Sequence, residues 1–344
     1  MHVRHAQATD FEGMKRLVVV GNGFDIHHGM RSSYGDFRRW LQATDGDADD
    51  ADSVLGALAR YFPLSVSEDV EWWNEFETNL ATLAPSEIVA DAVDENQPDF
   101  ASDDFRDSDW YRAAGAVDDV ISGLYSRILE KFTEWISEVN GTYDGSRRFV
   151  WSHRDTDGYL TFNYTDTLEQ LYGVPARRVL HIHGQPATAE PLVLGHDGDL
   201  TFVEEDLERS PEPPDDLDVE DYEEWYAAHA DDYVTSEAKN SARDAVMHHR
   251  KPVAEIIDSL RLYFASCASL EDVIVIGLSY SAVDMPYLRR IAACAPSARF
   301  TLTYYSDSDR LAAEAFARTL SPGQSVRLLS TKDLPLQQPP LPFD

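Results

Sequence analysis

Residues 17–25 read LVVVGNGFD, and no other stretch limits the possible folds as tightly. A short, wholly apolar run that stops at glycine has the pattern of a strand buried on both faces of a parallel sheet. Glycines directly after such a strand let the backbone turn sharply and approach a ligand closely. A helix that follows would aim its free N–H groups and positive end at phosphate. Gly21, Asn22, Gly23, Phe24 and Asp25 therefore form a candidate nucleotide-binding turn. As a three-glycine dinucleotide fingerprint it is incomplete, because Ile26 stands at the third glycine position. A tight strand-to-helix turn with no ligand fits the same residues.

The rest of the chain repeats the strand-and-helix alternation. Strand-like runs fall at 16–20, 149–151, 159–162, 179–182, 192–194, 273–277, 300–304 and 326–329. Helical spacing marks 34–41, 54–61, 71–83, 117–139, 167–172, 238–268, 285–293 and 309–320. Buried strands separated by helices predict an α/β fold with a parallel, doubly wound, Rossmann-like sheet. The nearly all-helical block 54–140 reads as a lobe inserted between the first and second strands. We expect a single domain over 16–333. An exposed acidic, proline-bearing insertion is expected at about 200–233, with loose tails at 1–15 and 334–344.

Charge narrows the partners. The 344 residues carry 62 acidic against 29 basic side chains, a net charge of −33. Such a surface repels nucleic acid and anionic membrane, so neither is expected as a partner. We read the charge as the mark of a GC-rich or salt-adapted source rather than of function. No apolar run approaches the ~20 residues that cross a bilayer. The N-terminus lacks the layout of a signal peptide, and Cys267 and Cys294 stand far apart, as suits a reducing cytoplasm.

Ligands of doubly wound sheets sit beyond the carboxyl ends of the strands. Three further constellations lie just there. Thr161-Phe162-Asn163-Tyr164-Thr165-Asp166 offers an asparagine able to hold water or a ribose hydroxyl, while Thr165 or Asp166 could cap the helix at 167–172. His181-Ile182-His183-Gly184 puts two histidines on one strand face, suited to acid–base work or, alternatively, to a metal or a satisfied core. Gly277-Leu278-Ser279-Tyr280-Ser281-Ala282-Val283-Asp284 offers hydroxyls and amides for phosphate or ribose, or simple capping by Ser281 or Asp284. It is no nucleophile elbow, since Ser281 occupies the second glycine position of that motif. No Walker A and no His-Glu-x-x-His pattern occurs. His27-His28 and His248-His249 have no useful period.

Together these stations resemble the AbiH family of bacteriophage abortive-infection proteins. The matching pieces are GNGFDIHHGMRSSYGDF at 21–37, EWWNEFETNL at 71–80, FNYTDTLEQLYG at 162–173, HIHG at 181–184, LGHD at 194–197 and IGLSYSAVDMPYL at 276–288. More distantly, the layout is similar to sirtuin-like NAD-binding domains, through Gly21 and Gly23, Asp36-Phe37-Arg38, Thr161 and Asn163, His183-Gly184, and Gly277 with Ser279. That resemblance implies Asn163 and His183 at the nicotinamide ribose, with Gly21, Gly23 and Ser279 along phosphates and ribose. The chain departs from sirtuins in lacking the zinc cysteines, in having Tyr164-Thr165 before Asp166, and in Leu278 after Gly277. It is closer to sirtuin-like defence proteins without the zinc lobe, which look like NAD glycohydrolases.

The resemblance implies a phage-defence protein with NAD as substrate and no metal. In this reading Asn163 orients water or a ribose hydroxyl, His183 takes the proton, and Asp25 or Asp36 stabilises the cationic sugar. Arg38 would pair with phosphate or a carboxylate. Two other classes fit the residues. One is metal-dependent hydrolysis on His181, His183 and Asp25, with His196 as a further ligand. The other is a sensor that binds a nucleotide without turnover. The trigger and the oligomeric state, a homo-oligomer among the possibilities, are left open.

Overall fold

The structure is a computed structural model that describes residues 8–66, 70–99, 103–150, 153–186, 192–196, 198–208 and 232–336. Six strands form one all-parallel sheet: β1 Arg16–Val20, β2 Asp157–Thr161, β3 Val179–His181, β4 Asp272–Ile276, β5 Arg299–Tyr304 and β6 Ser325–Ser330. Their order is β3-β2-β1-β4-β5-β6, the doubly wound α/β arrangement expected from the alternation. β1 alternates between two cores: Leu17 and Val19 pack with Leu160, Val273 and Leu288, while Val18 and Val20 pack with Phe24, Tyr159 and Ile276. A strand buried on both faces needs an apolar residue at every position, which is why it reads as an unbroken run.

Register is fixed at the amino edge by charge. Arg16 lies opposite Asp157 of β2 and Asp272 of β4, and Asp272 lies opposite Arg299 of β5. Arg16 Nε donates to Asp157 Oδ1 at 2.9 Å, and Arg299 Nε to Asp272 Oδ1 at 2.8 Å. A slip of one residue would break these pairs and exchange which residues of β1 face each core.

The chain divides into two compact units, residues 1–37, 131–194 and 252–344, and residues 38–130 and 195–251. The first holds the sheet. The second is helical, with Val54–Tyr61, Ser86–Glu95 and Tyr233–His248 among its helices. Its core carries the stacked pair Trp73–Phe76 at 5.3 Å and a buried ion pair, Lys251 Nζ to Glu77 Oε2 at 2.7 Å. Among the described residues no helix is long and apolar enough to cross a membrane.

Several expectations need correction. The stretch 71–83 is two short helices, Val70–Asn74 and Phe76–Asn79. The stretch 238–268 breaks into three, Tyr233–His248, Val253–Ser259 and Arg261–Ser266; the first break falls at Pro252, which lacks the N–H that a continuous helix requires, and the second at Leu260. Residues 192–194 form no strand, and Phe149 makes only an isolated bridge to Leu336. Trp151 lies outside the described residues. In the tail 1–15, Phe11 and Met14 are fully buried, and Phe11 meets Tyr263 edge-on at 4.8 Å. The insertion at 200–233 opens with a packed helix, Thr201–Leu207, whose Val203 and Leu207 are buried. Residues 209–231, Asp197 and the tail beyond Leu336 lie outside the described residues.

At the switch point, where successive connections diverge, the turns after β1 and β4 interlock. Gly21 N donates to Ile276 O at 3.0 Å, Gly23 N to Gly277 O at 2.8 Å, and Phe24 N to Gly21 O at 2.9 Å. A Cβ on Gly277 would lie 2.3 Å from Phe24 N, and one on Gly21 or Gly23 would lie 2.8–2.9 Å from the Gly277 residue. The close approach that these glycines permit is backbone to backbone. Gly277 also has φ +67°, as does Gly173 at +66°, but nothing lies within 4 Å of a Cβ on Gly173. Gly173→Ala should therefore cost only the left-handed penalty, ~1 kcal/mol, and Gly277→Ala at least ~3 kcal/mol from strain plus overlap. Equal losses of unfolding free energy in denaturant titrations would contradict the interlock.

Candidate functional site

β3, β2 and β1 are neighbours, so the residues that follow them lie side by side. Asp25 comes from the short helix Asn22–His27 after β1, Asn163 and Thr165 from the turn after β2, and His181 and His183 from the end of β3. Three adjacent strand ends thus supply the polar groups, and the structure brings Asp25, Asn163 and His181 into one electrostatic neighbourhood.

Asp25 is 1% exposed. Its Oδ2 accepts from Thr165 Oγ1 at 2.5 Å, and Thr165 in turn accepts from Thr167 Oγ1 at 3.2 Å. Burial pushes its carboxyl up to about 6, against the opposing effect of the Thr165, Thr167 and Asn163 side chains and of His181. Asp25 Oδ1 and Asn163 Oδ1 are buried and have no hydrogen-bond partner. Asn163 is positioned by its own backbone N–H, which donates to Thr161 Oγ1 at 3.0 Å. Thr161 is thus a buried support.

The histidines have different surroundings. β3 ends at His181, so strand alternation does not carry through to His183. His183 is buried among Phe162, Tyr164 and Tyr287, with Nδ1 3.3 Å from Phe162 O. A proton on Nδ1 there leaves the lone pair on Nε2, the tautomer that a general base uses. Gly184 follows at φ +83°. His181 has Nε2 2.8 Å from Glu169 Oε1 and Nδ1 3.4 Å from Asn163 O.

The other candidates have structural partners. Asn22 exchanges hydrogen bonds with Ser32, Nδ2 to Ser32 O at 2.8 Å and Ser32 Oγ to Oδ1 at 2.7 Å. Phe24 is a core ring, 4.6 Å from His28 and 5.6 Å from Tyr172. Asp36 closes a capping box with Ser33, whose Oγ accepts from Asp36 N at 3.1 Å. Phe37 packs between Phe132 and Trp135. Arg38 belongs to the second unit and lies over the Trp73 ring. Ser279 is exposed, and Asp284 accepts from Ser281 Oγ at 3.1 Å without capping the next helix through its side chain. Asp166 stands at the cap position of Thr167–Tyr172 with no side-chain cap bond, and Thr165 turns to Asp25 instead.

His196 is not available as a metal ligand. Its Nε2 lies 2.8 Å from Val246 O, and its Nδ1 accepts from Gly198 N at 3.0 Å. Among the described residues no three His, Cys, Asp or Glu side chains gather in an arrangement that could hold a metal ion. His28 is structural: its Nδ1 lies 2.6 Å from Phe24 O and its Nε2 2.8 Å from Tyr172 Oη, and burial holds its ring down to about 4. Thr165, Glu169 and Gln185 escaped the sequence reading. The first looked like a cap residue, and the other two carry no motif beyond closeness to Asp166 and His183.

Asp25 makes stability depend on pH. Its folded-state value lies above its unfolded one, so the stability it permits below about pH 4 is lost as pH rises through about 6. Asp25→Asn keeps an acceptor for Thr165. It should gain up to about 3 kcal/mol over wild type at pH 7 and nothing at pH 4. Taking the difference between the two proteins cancels His28, which acts in the opposite direction over the same range. A difference in unfolding free energy that does not change with pH would contradict this.

No curated protein matches the sequence. The family model for bacteriophage abortive infection AbiH matches residues 17–305, which run from β1 to the end of β5 and include every candidate site residue. By that match the chain belongs to the AbiH family, which implies a role in abortive infection by phage.

Proposed function

We propose that this protein binds NAD at the carboxyl ends of β1, β2 and β3 and hydrolyses its nicotinamide–ribose bond. The observation that carries the reading is the pair of buried, unpartnered acceptors, Asp25 Oδ1 and Asn163 Oδ1, on neighbouring strand ends. Buried polar atoms seldom go unpaired, and ribose hydroxyls and a carboxamide N–H are donors of the required kind. The strand order adds support, because open α/β sheets take ligands at this edge. The N–H groups of Gly21, Gly23 and Phe24 are already bonded within the protein, so recognition is assigned to the ribose end rather than to phosphates held by that loop.

In the reaction the bond from C1′ to the pyridinium nitrogen breaks, and its electron pair stays on nicotinamide, which leaves neutral. Water forms the new C1′–O bond and gives up a proton, so the products are nicotinamide, ADP-ribose and a proton. Asn163 orients the water or the ribose. His183, through Nε2, accepts the proton. Asp25, ionised above about pH 6, faces the oxocarbenium-like sugar with a carboxylate that burial keeps unscreened.

Nicotinamide release from NAD by the purified protein tests this. His183→Ala and Asn163→Ala should each lower the rate by ~10²-fold or more while unfolding near the wild-type midpoint. Undiminished release in either folded variant contradicts the assignment. Calorimetric binding of NAD with no release in any protein would leave the sensor reading in its place.

A further inference from the structure

The Glu169–His181 pair takes no part in the reaction described above. Glu169 is on the helix Thr167–Tyr172, and His181 ends β3. Their side chains are 14% and 9% exposed and meet at 2.8 Å, Nε2 to Oε1. Glu169 Oε2 is buried and has no hydrogen-bond partner. An ionised carboxylate only accepts, so Nε2 carries the proton. Gln185 Nε2 lies 2.8 Å from the same nitrogen; turned over, that amide presents its oxygen to the N–H. On the other side of the ring, Nδ1 lies 3.4 Å from Asn163 O. With acceptors at both nitrogens, the doubly protonated ring satisfies both contacts.

We propose that Glu169 and His181 are positioning residues, an ion pair that clamps the Asn163–Thr165 turn and sets a positive charge towards Asp25. The clamp is geometric: His181 bridges the helix after the turn to the turn's own backbone, and Thr165 of that turn bonds Asp25. The charge follows from the site's composition. The groups acting on Asp25 are Thr165, Thr167 and Asn163, all uncharged, and His181, whose field favours the carboxylate. The pair's effect on turnover rests on the NAD reading; its effect on Asp25 does not.

The test therefore needs no substrate. The Asp25 contribution is the difference in unfolding free energy between proteins with and without Asp25→Asn, measured from pH 4 to 8. It should grow from pH 4 and level off near 6 in the wild-type background. In Glu169→Gln, which keeps the shape and an acceptor, and in His181→Gln, the pH at which it levels off should rise by roughly half a unit or more. A levelling point unmoved in both overturns the proposal. Collapse of both variants at pH 7 overturns it too, since the pair would then serve the fold rather than the site. Where NAD is hydrolysed, Glu169→Gln should lower kcat by about tenfold with KM little changed and move the acid limb of the profile upward. A pure KM effect counts against the clamp.

Discussion

The interlock of the turns after β1 and β4 is the constraint on which the rest of this structure depends. At the switch point of a doubly wound sheet the two connections leave in opposite directions, and the gap between them commonly receives a ligand. Here Gly21, Gly23 and Gly277 let the two backbones touch and bond. The join fixes β1 against β4 at the centre of the sheet. It also spends the amide donors that a phosphate would need. Beyond the ends of β1 and β2, by contrast, two buried acceptors, Asp25 Oδ1 and Asn163 Oδ1, have no partner.

Burial sets the cost the fold accepts at Asp25. A carboxylate buried beside two threonine hydroxyls and an asparagine is poorly compensated, and the protein is less stable above pH 6 for carrying it. Groups held at such a cost are commonly functional. Other buried polar residues show the contrast: His28 and His196 have partners at both ring nitrogens. Asp25 and Asn163 each retain an open oxygen.

Much of the fold was legible because periodicity and burial coincide. β1 and the helix Val54–Tyr61 have the bounds that the apolar spacing predicts, β4 is shifted by one residue at each end, and β5 starts one residue early. Errors came where a local breaker or a distant partner outweighs spacing. Pro252 divides one long helical pattern, and residues 192–194 are apolar yet add no strand to the sheet. In the site, the motif residues nearest the strand ends were visible. Their roles were less so, because glycine next to a strand looks the same whether it faces a ligand or another glycine. Spacing offers Thr165 only as a helix cap and gives Glu169 no role. Their partners, Asp25 and His181, are 140 and 12 residues away along the chain.

NAD itself is the most direct readout of hydrolysis at this site. Cells expressing the wild-type chain or Asn163→Ala would be sampled through a phage challenge and their NAD quantified. NAD should collapse after infection in the wild type, with nicotinamide and ADP-ribose appearing in step, and persist in the variant at equal protein level. Phage restriction by the wild type with NAD unchanged, or NAD loss of the same extent in the variant, would contradict it.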